Sequence, residues 1–137
     1  MYQFYLLSIL LNVFLAVSLV PEFLGSRFPA FTSFVSAQCR QPDRAFLLGV
    51  AAICVGVFKL LSPVYGDVPF FGDLLPALTN LGGGGILVLE NLPGVEDSPA
   101  PGWRVVRSFL LDRKDLWGYG CLGAGTLHFF LPTMIFF

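Results

Sequence analysis

Four long apolar stretches separated by more polar segments set the pattern of this sequence. They cover residues 2–20, 45–62, 70–89 and 118–137, and prolines close the first two. A helix that crosses a bilayer needs roughly 20 mostly apolar residues. The pattern therefore predicts an all-α membrane protein with four transmembrane helices, arranged as two tandem helical hairpins. A cleaved signal peptide is disfavoured for the first stretch, because it lacks a basic leading segment and a nearby cleavage motif.

Composition points in the same direction. Of the 137 residues, 55% are hydrophobic and only 12% are charged, and the mean hydropathy is +0.76. A soluble domain typically carries about 25% charged residues, because its surface faces water. The outside of this chain therefore requires an apolar solvent. Four spans also use nearly the whole length and leave no room for a soluble catalytic domain.

Basic residues are concentrated in two of the three connections. The segments 21–44 and 92–117 hold seven of the eight basic residues: Arg27, Arg40, Arg44, Arg104, Arg107, Arg113 and Lys114. The segment 63–72 holds a single charged residue, Asp67. The positive-inside rule makes the two basic connections cytoplasmic. Both termini are then expected outside the cytoplasm, in an inner or plasma membrane.

Both basic connections are expected to contain short interfacial helices. After Pro29, Phe31 and Phe34 recur at helical spacing, and aromatic residues alternate with basic ones in the second connection. Such helices lie well at a headgroup surface. We expect lipid headgroups to contact Arg104, Arg107, Arg113 and Lys114; docking to a cytosolic partner is the alternative. The stretch 93–102, rich in proline, is predicted to be a loop.

The chain aligns with itself at an offset of 69. Residues 43–63 fall on residues 112–132 without a gap, with six identities in 21 positions. Roughly one or two identities would be expected by chance, so an internal repeat is the better explanation. We predict a single membrane domain built from repeat units 1–68 and 70–137, related by a pseudo-twofold axis along the membrane normal.

The shared positions form one stripe on each of two helices, with spacings of 3, 4, 3 and 4 residues. The stripes consist of Gly49, Ala52, Gly56, Lys59 and Pro63 in one unit, and of Gly118, Cys121, Gly125, His128 and Pro132 in the other. Small residues let helix backbones approach closely in a bilayer. We expect both helices to meet partners through these grooves.

Ionisable residues inside spans are costly and are candidate functional groups. Lys59 is expected to snorkel to the outer interface, with Asp67 or Asp73 as an ion-pair partner; substrate binding is the alternative. His128 is expected to hydrogen-bond a neighbouring helix, with proton relay as the alternative. Glu90 is predicted to form an anchoring ion pair with the basic segments.

The third stretch contains four consecutive glycines, Gly82, Gly83, Gly84 and Gly85. Each glycine weakens a helix by about 1 kcal/mol relative to alanine. We expect other helices to cover this segment through close packing. A broken-helix ion site remains an alternative, whereas a phosphate-binding loop lacks its lysine and hydroxyl residues.

No recognisable catalytic motif occurs, so we expect no enzyme activity, no catalytic residues and no cofactor. One histidine and three unpaired cysteines do not suggest a metal site. Nucleic acid is not an expected partner. Two functions remain: a small structural or accessory subunit that packs against other subunits of a membrane complex, which we favour, and a solute or ion transporter or channel that acts as an oligomer.

Overall fold

The computed structural model describes residues 2–39, 41–61, 74–92 and 101–130, with side chains from Tyr5 onward except that of Pro101. Within these ranges the chain forms seven helices and no strand, which confirms the all-α prediction. They are α1 (Tyr2–Leu19), α2 (Pro21–Arg27), α3 (Pro29–Cys39), α4 (Pro42–Leu61), α5 (Leu74–Asn91), α6 (Pro101–Leu111) and α7 (Lys114–Phe130).

Helix α1 ends where the sequence predicts, because Pro21 has no N–H and its ring restricts the residue before it. Val20 leaves the helical conformation, with φ −128° and ψ 59°. The chain turns by 103° between the described part of α1 and α2. Helices α2 and α3 therefore leave the direction of α1 within the first basic connection.

The remaining boundaries differ from the prediction by a few residues. Helix α4 begins at Pro42, before the predicted Ala45, and α6 begins at Pro101, within the predicted loop. Proline suits the first turn of a helix, since its missing N–H has no partner there. Residues 62–73, 93–100 and 131–137, which include Asp67, Asp73, Pro63 and Pro132, lie outside the described residues.

By length and composition, fewer helices qualify as membrane spans than the four predicted. Within the described ranges α4 alone is long and apolar enough, and a second span is reached only if α1 and α2 are counted as one bent unit. Glycines and the polar pair Thr79 and Asn80 dilute the apolar character of α5. Helix α7 is 17 residues long where it is described, which is shorter than the roughly 20 residues of a typical spanning helix.

Helices α4 and α5 pack side by side and run antiparallel. Gly49, near the start of α4, lies against Gly84 in the second half of α5. Gly56, near the end of α4, lies against Ala77 near the start of α5. This is the most extensive helix–helix contact in the described structure.

Helices α1 and α7 form the second antiparallel pair. Gly118 contacts Val20 at the end of α1, and Gly125 contacts Asn12 nearer its middle. Helix α7 also runs antiparallel to α5, since Gly82 faces Trp117 while Thr79 lies next to Gly120 and Cys121. It follows that α1 runs parallel to α5, and α4 parallel to α7.

Candidate functional site: the polar centre and the Lys59–His128 contact

Four polar side chains are buried where α1 meets α5. Ser8, Asn12 and Asn80 have no exposed surface, and Thr79 is 5% exposed. The Thr79 hydroxyl donates to Asn12 Oδ1 at 2.7 Å, and the Asn12 amide donates to the Ser8 carbonyl at 3.0 Å. Buried polar groups need such partners, because an unpaired one retains its full desolvation cost. We call these four residues the polar centre.

The polar centre extends toward α7. The Asn80 amide donates to Ser8 Oγ at 3.0 Å, and the Cys121 thiol donates to the Thr79 carbonyl at 3.4 Å. Asn80 Oδ1 is buried and has no hydrogen-bond partner within the described structure. The arrangement therefore links α1, α5 and α7 by hydrogen bonds and retains one unused acceptor.

Sequence reasoning predicts none of the four residues of this centre as a site. Ser8 and Asn12 belong to no motif and are not among the predicted site residues, although they interrupt an otherwise apolar run. They are four residues apart, and this spacing places them on the same face of a helix. That interruption is the signal that could have found them.

Lys59 and His128 meet at the opposite end of the bundle from the basic connections. Lys59 Nζ lies 3.0 Å from His128 Nε2, and Lys59 is only 8% exposed. The Tyr5 ring lies against the imidazole at a tilt of 36°, with centroids 4.4 Å apart, and its centroid is 5.7 Å from Nζ. The Tyr5 hydroxyl donates to the His128 carbonyl. Three helices thus bring a cation, an imidazole and a phenol together.

The other predicted intramembrane groups lie elsewhere. Asp73, the predicted partner of Lys59, is outside the described residues. Glu90 is near the end of α5 and pairs with Lys114 at 3.3 Å. Both side chains of this pair are substantially exposed, at 35% and 49% respectively. A pair exposed to this degree contributes little to stability.

The two small-residue stripes lie against helices of the same chain. Gly49, Ala52 and Gly56 face α5, and Gly118, Cys121 and Gly125 face α1 and α5; all six are buried. The partners expected for these grooves are therefore supplied from within the chain. The helix backbones approach each other closely, because a β-carbon on Gly56 would lie 3.0 Å from the Ala77 carbonyl oxygen.

The glycine run of α5 faces four different helices, α1, α4, α6 and α7. Gly82 lies directly against the Trp117 ring, Gly83 against Cys121 and Leu15, and Gly84 against Gly49. Gly85 is the least crowded of the four, because a β-carbon there would lie 3.7 Å from the Leu110 side chain of α6. Successive residues of a helix point 100° apart, so the run can serve several neighbours at once.

Contacts across the bundle repeat at the offset seen in the sequence. Gly49 lies against Val88, and Gly118 lies against Leu19. Gly118 is the counterpart of Gly49 at the offset of 69, and Leu19 is the counterpart of Val88. The two contacts are therefore equivalent. The same offset relates the contact Gly56–Leu81 to Gly125–Asn12. Lys59 and His128 are themselves 69 residues apart, so equivalent positions of the two units touch.

In the basic helix α6, apolar and basic side chains do not lie on separate faces as the sequence suggests. Arg107 is half-buried on the same side as Trp103 and Leu110, toward the bundle, whereas Val105 and Phe109 are exposed. The guanidinium of Arg113 lies 5.4 Å from the centroid of the Phe109 ring. Arg104, Arg113 and Lys114 are exposed at the same end of the molecule.

Among the described residues no group of three or more His, Cys, Asp or Glu side chains converges as a metal site would require. Cys39, Cys54 and Cys121 are free thiols.

One family model matches residues 1–128. The chain belongs to that family, whose function is uncharacterised. The match extends from α1 to His128 in α7. It includes the polar centre, the first stripe, the second stripe as far as His128, and both members of the Lys59–His128 contact. No curated protein and no solved structure matches the chain.

Proposed function

We propose that the chain is a multi-pass membrane protein whose four long helices, α1, α4, α5 and α7, cross the bilayer. One observation carries this proposal: the bundle exposes many large apolar side chains on its helices, while it buries a small group of polar ones. Asn12 and Asn80 are fully buried, while Leu61 and Phe130 are 73% and 71% exposed. Large exposed apolar surfaces mark contact with lipid or protein.

Packing supports a membrane position for α5 and α7, which as single helices are not apolar or long enough to qualify as spans. Helix α5 contacts α4 along most of its length, so a bilayer around α4 would also surround α5. Its polar and glycine positions are covered by α1, α4 and α7. On its outward face, α5 exposes Leu75 and Leu78. Helix α7 pairs with α1 in the same way.

The charge distribution supports one orientation. Helices α4 and α7 both begin at the end that carries the basic residues Arg27, Arg44, Arg104, Arg113 and Lys114. Under the positive-inside rule this end is cytoplasmic. The Lys59–His128 contact and both termini then lie on the outer side of an inner or plasma membrane.

At the cytoplasmic end, we propose that α6 contacts anionic lipid headgroups. Its exposed Val105 and Phe109 would insert at the interface while Arg104 and Arg113 contact phosphate, and Lys114 lies beside them. Helices of this kind bind through buried apolar area and electrostatic attraction together. A cysteine at Phe109 should react with aqueous maleimide more slowly in vesicles that contain anionic lipid than in neutral vesicles; equal rates would contradict this contact.

Within the membrane, the role we propose is that of a non-enzymatic structural or accessory subunit. Its interior polar groups are engaged largely with one another, and its stripes are filled by its own helices. The exposed apolar faces of α4 and α7 therefore remain for partners. Leu47 and Val57 represent the first face, and Leu116 and Leu127 the second.

Purification of the tagged protein in mild detergent tests this role. Recovery of a stoichiometric unrelated membrane protein supports the subunit role, particularly if Leu47→Ser or Leu116→Ser reduces it. Ser33→Ala, on the exposed side of α3, is the matched control and should leave recovery unchanged. Recovery of the chain alone, as a defined homo-oligomer, would contradict it.

Recovery of the chain alone as a defined homo-oligomer would favour a second function, transport of a small solute or ion by that oligomer. Two observations support this candidate: the buried Lys59–His128 contact and the unused buried acceptor of Asn80. Ionisable and polar groups within membrane helices commonly line transport pathways. Reconstituted vesicles should then show a solute or ion flux that Lys59→Met abolishes, and no flux in any assay would count against transport.

A further inference from the structure

The segment between α1 and α4 starts below the charged end of the bundle. Lys114, at the start of α7, pairs with Glu90 at 3.3 Å and marks that end. Val20, where α1 ends, contacts Gly118, which comes four residues after Lys114 in α7. At 1.5 Å per residue, the end of α1 lies about 6 Å inward from Lys114. Helices α2 and α3 therefore begin at a level inside the bundle.

The path of the chain then takes α2 and α3 across the bundle and inward. The chain turns by 103° between the described part of α1 and α2, so α2 runs across the end of α1 and does not continue outward. In α3, the centroid of the Phe31 ring lies 6.4 Å from that of the Phe14 ring. Phe14 precedes Val20 by six residues, which is roughly 9 Å deeper along α1. We call α2 and α3 together the elbow.

The elbow returns to the charged end as α3 proceeds. Ser18 Oγ donates to Cys39 Sγ at 3.2 Å, near the end of both α1 and α3. Gln38 Oε1 accepts a hydrogen bond from Arg44, in the first turn of α4. Phe31 therefore lies near the deepest part of the elbow and Gln38 near its exit. The elbow enters and leaves on the same side of the bundle, as a re-entrant segment does.

The backbone of the elbow suits an apolar environment. A proline follows each of its two bends, Pro21 after Val20 and Pro29 after Phe28, and proline has no N–H that would need a partner. The N–H and the carbonyl of Val20 and of Phe28 are all paired with backbone groups of the adjoining helices. Unpaired backbone groups are very costly in hydrocarbon. Bends of this kind can therefore lie within one leaflet of a bilayer.

The surface of the elbow carries a stripe of exposed aromatic rings. Phe28, Phe31 and Phe34 recur at every third residue and are 62%, 41% and 59% exposed. On the opposite side of α3, Val35 has no exposed surface. Residues 28–39 include no charged residue. Three large rings exposed together in an uncharged segment mark contact with lipid or protein, and the depth of the segment favours lipid.

We propose that the elbow is inserted into the cytoplasmic leaflet, where its aromatic stripe contacts lipid acyl chains. This position is deeper than that of a helix on the membrane surface, which buries its apolar face by about 5–10 Å. Glu22 and Arg27 are exposed in α2, and their long side chains can extend to the headgroups. The inference rests on the proposed membrane position of the bundle and goes beyond it, because a bundle in a bilayer does not require an inserted elbow.

Spin labels on single cysteines in the full chain, with the native cysteines replaced, test the depth of the elbow. In vesicles of phosphatidylcholine and phosphatidylglycerol, labels at Phe28→Cys and Phe34→Cys should collide more with oxygen, which concentrates among acyl chains, than with a water-soluble nickel complex. Gln38→Cys is the matched control, since it lies on the same helix near the exit of the elbow. The ratio of oxygen to nickel collisions should be lower at Gln38→Cys than at the other two positions.

A label at Val57→Cys, exposed on α4, separates the elbow from the bundle. If this label collides mainly with oxygen while those at Phe28 and Phe34 collide mainly with nickel, the elbow is not inserted and the membrane bundle stands. If all three collide mainly with nickel, the membrane position of the bundle fails as well. Labels at Phe28 and Phe34 that reach neither reagent would indicate a second copy on the stripe and would also overturn the lipid contact. If Phe28→Cys does not fold, Phe34→Cys gives the same comparison.

Discussion

Gly49 of α4 and Gly84 of α5 touch through their backbones: a β-carbon on either one would lie 2.7 Å from the carbonyl oxygen of the other. Neither oxygen can move without shifting a helix. The two helices are therefore held at a separation that only glycine permits at this point. In a bilayer, where lipid supplies no hydrophobic driving force between helices, such close contact is a main source of association.

Gly49→Ala should therefore destabilise the bundle by about 1–3 kcal/mol, the usual cost of inserting a methyl group into a filled contact. Gly123→Ala is the matched control, because Gly123 is also helical and no atom lies within 4 Å of its added β-carbon. It should be neutral or stabilising by up to about 1 kcal/mol. Thermal unfolding in detergent compares the two; equal effects would show that α4 and α5 do not meet at Gly49.

Gly82 and Gly85 lie in the same glycine run but should respond differently to alanine. A methyl group on Gly82 would collide with the Trp117 ring, whereas one on Gly85 would make ordinary contact with Leu110 at 3.7 Å. Gly82→Ala should displace the indole, shift its fluorescence to the red and cost about 1–3 kcal/mol. In a Trp103→Phe background the emission comes from Trp117 alone. An unchanged spectrum in Gly82→Ala, or an equal shift in Gly85→Ala, would contradict this packing.

The hydrogen bond between Thr79 and Asn12 should appear as coupling between α1 and α5. We expect a double-mutant cycle of Asn12→Leu and Thr79→Val to give a coupling energy of about 0.6 kcal/mol, and at most about 1.7 kcal/mol, as found between membrane helices. Ser33→Ala, an exposed hydroxyl with a local bond to Ala30, should show no coupling with Asn12→Leu. Additive effects of Asn12→Leu and Thr79→Val would refute the interhelical bond.

The sequence predicts the long helices well because their signal is local. Pro21 terminates α1 through its own chemistry, and apolar length alone indicates α4. The number of membrane spans is harder to predict from local sequence signals. Glycine and asparagine lower the hydropathy of α5, although in the bundle those residues face other helices and need not contact lipid. Whether a polar residue is shielded from lipid depends on which helices pack against it, and the sequence of one helix does not specify those helices.

The pairing of helices is also beyond local reasoning. Two tandem hairpins imply that α4 packs with α1 and α7 with α5, yet the largest contacts are α4 with α5 and α1 with α7. The small-residue stripes identify a packing face but not its partner, since any close helix can fill them. Likewise, the repeat marks Lys59 and His128 as equivalent positions, but only the three-dimensional arrangement brings them into contact.

Sidedness of labelling tests the membrane bundle most directly. In sealed vesicles of known orientation, with the native cysteines replaced, single cysteines at Ser26 and Ser108 should react with an impermeant maleimide from the cytoplasmic side. Cysteines at Leu61 and Phe130 should react from the opposite side. Labelling of Ser108 and Phe130 from the same side would contradict a membrane-spanning α7, and release of the protein from membranes by alkaline carbonate would contradict a bilayer position for the whole bundle.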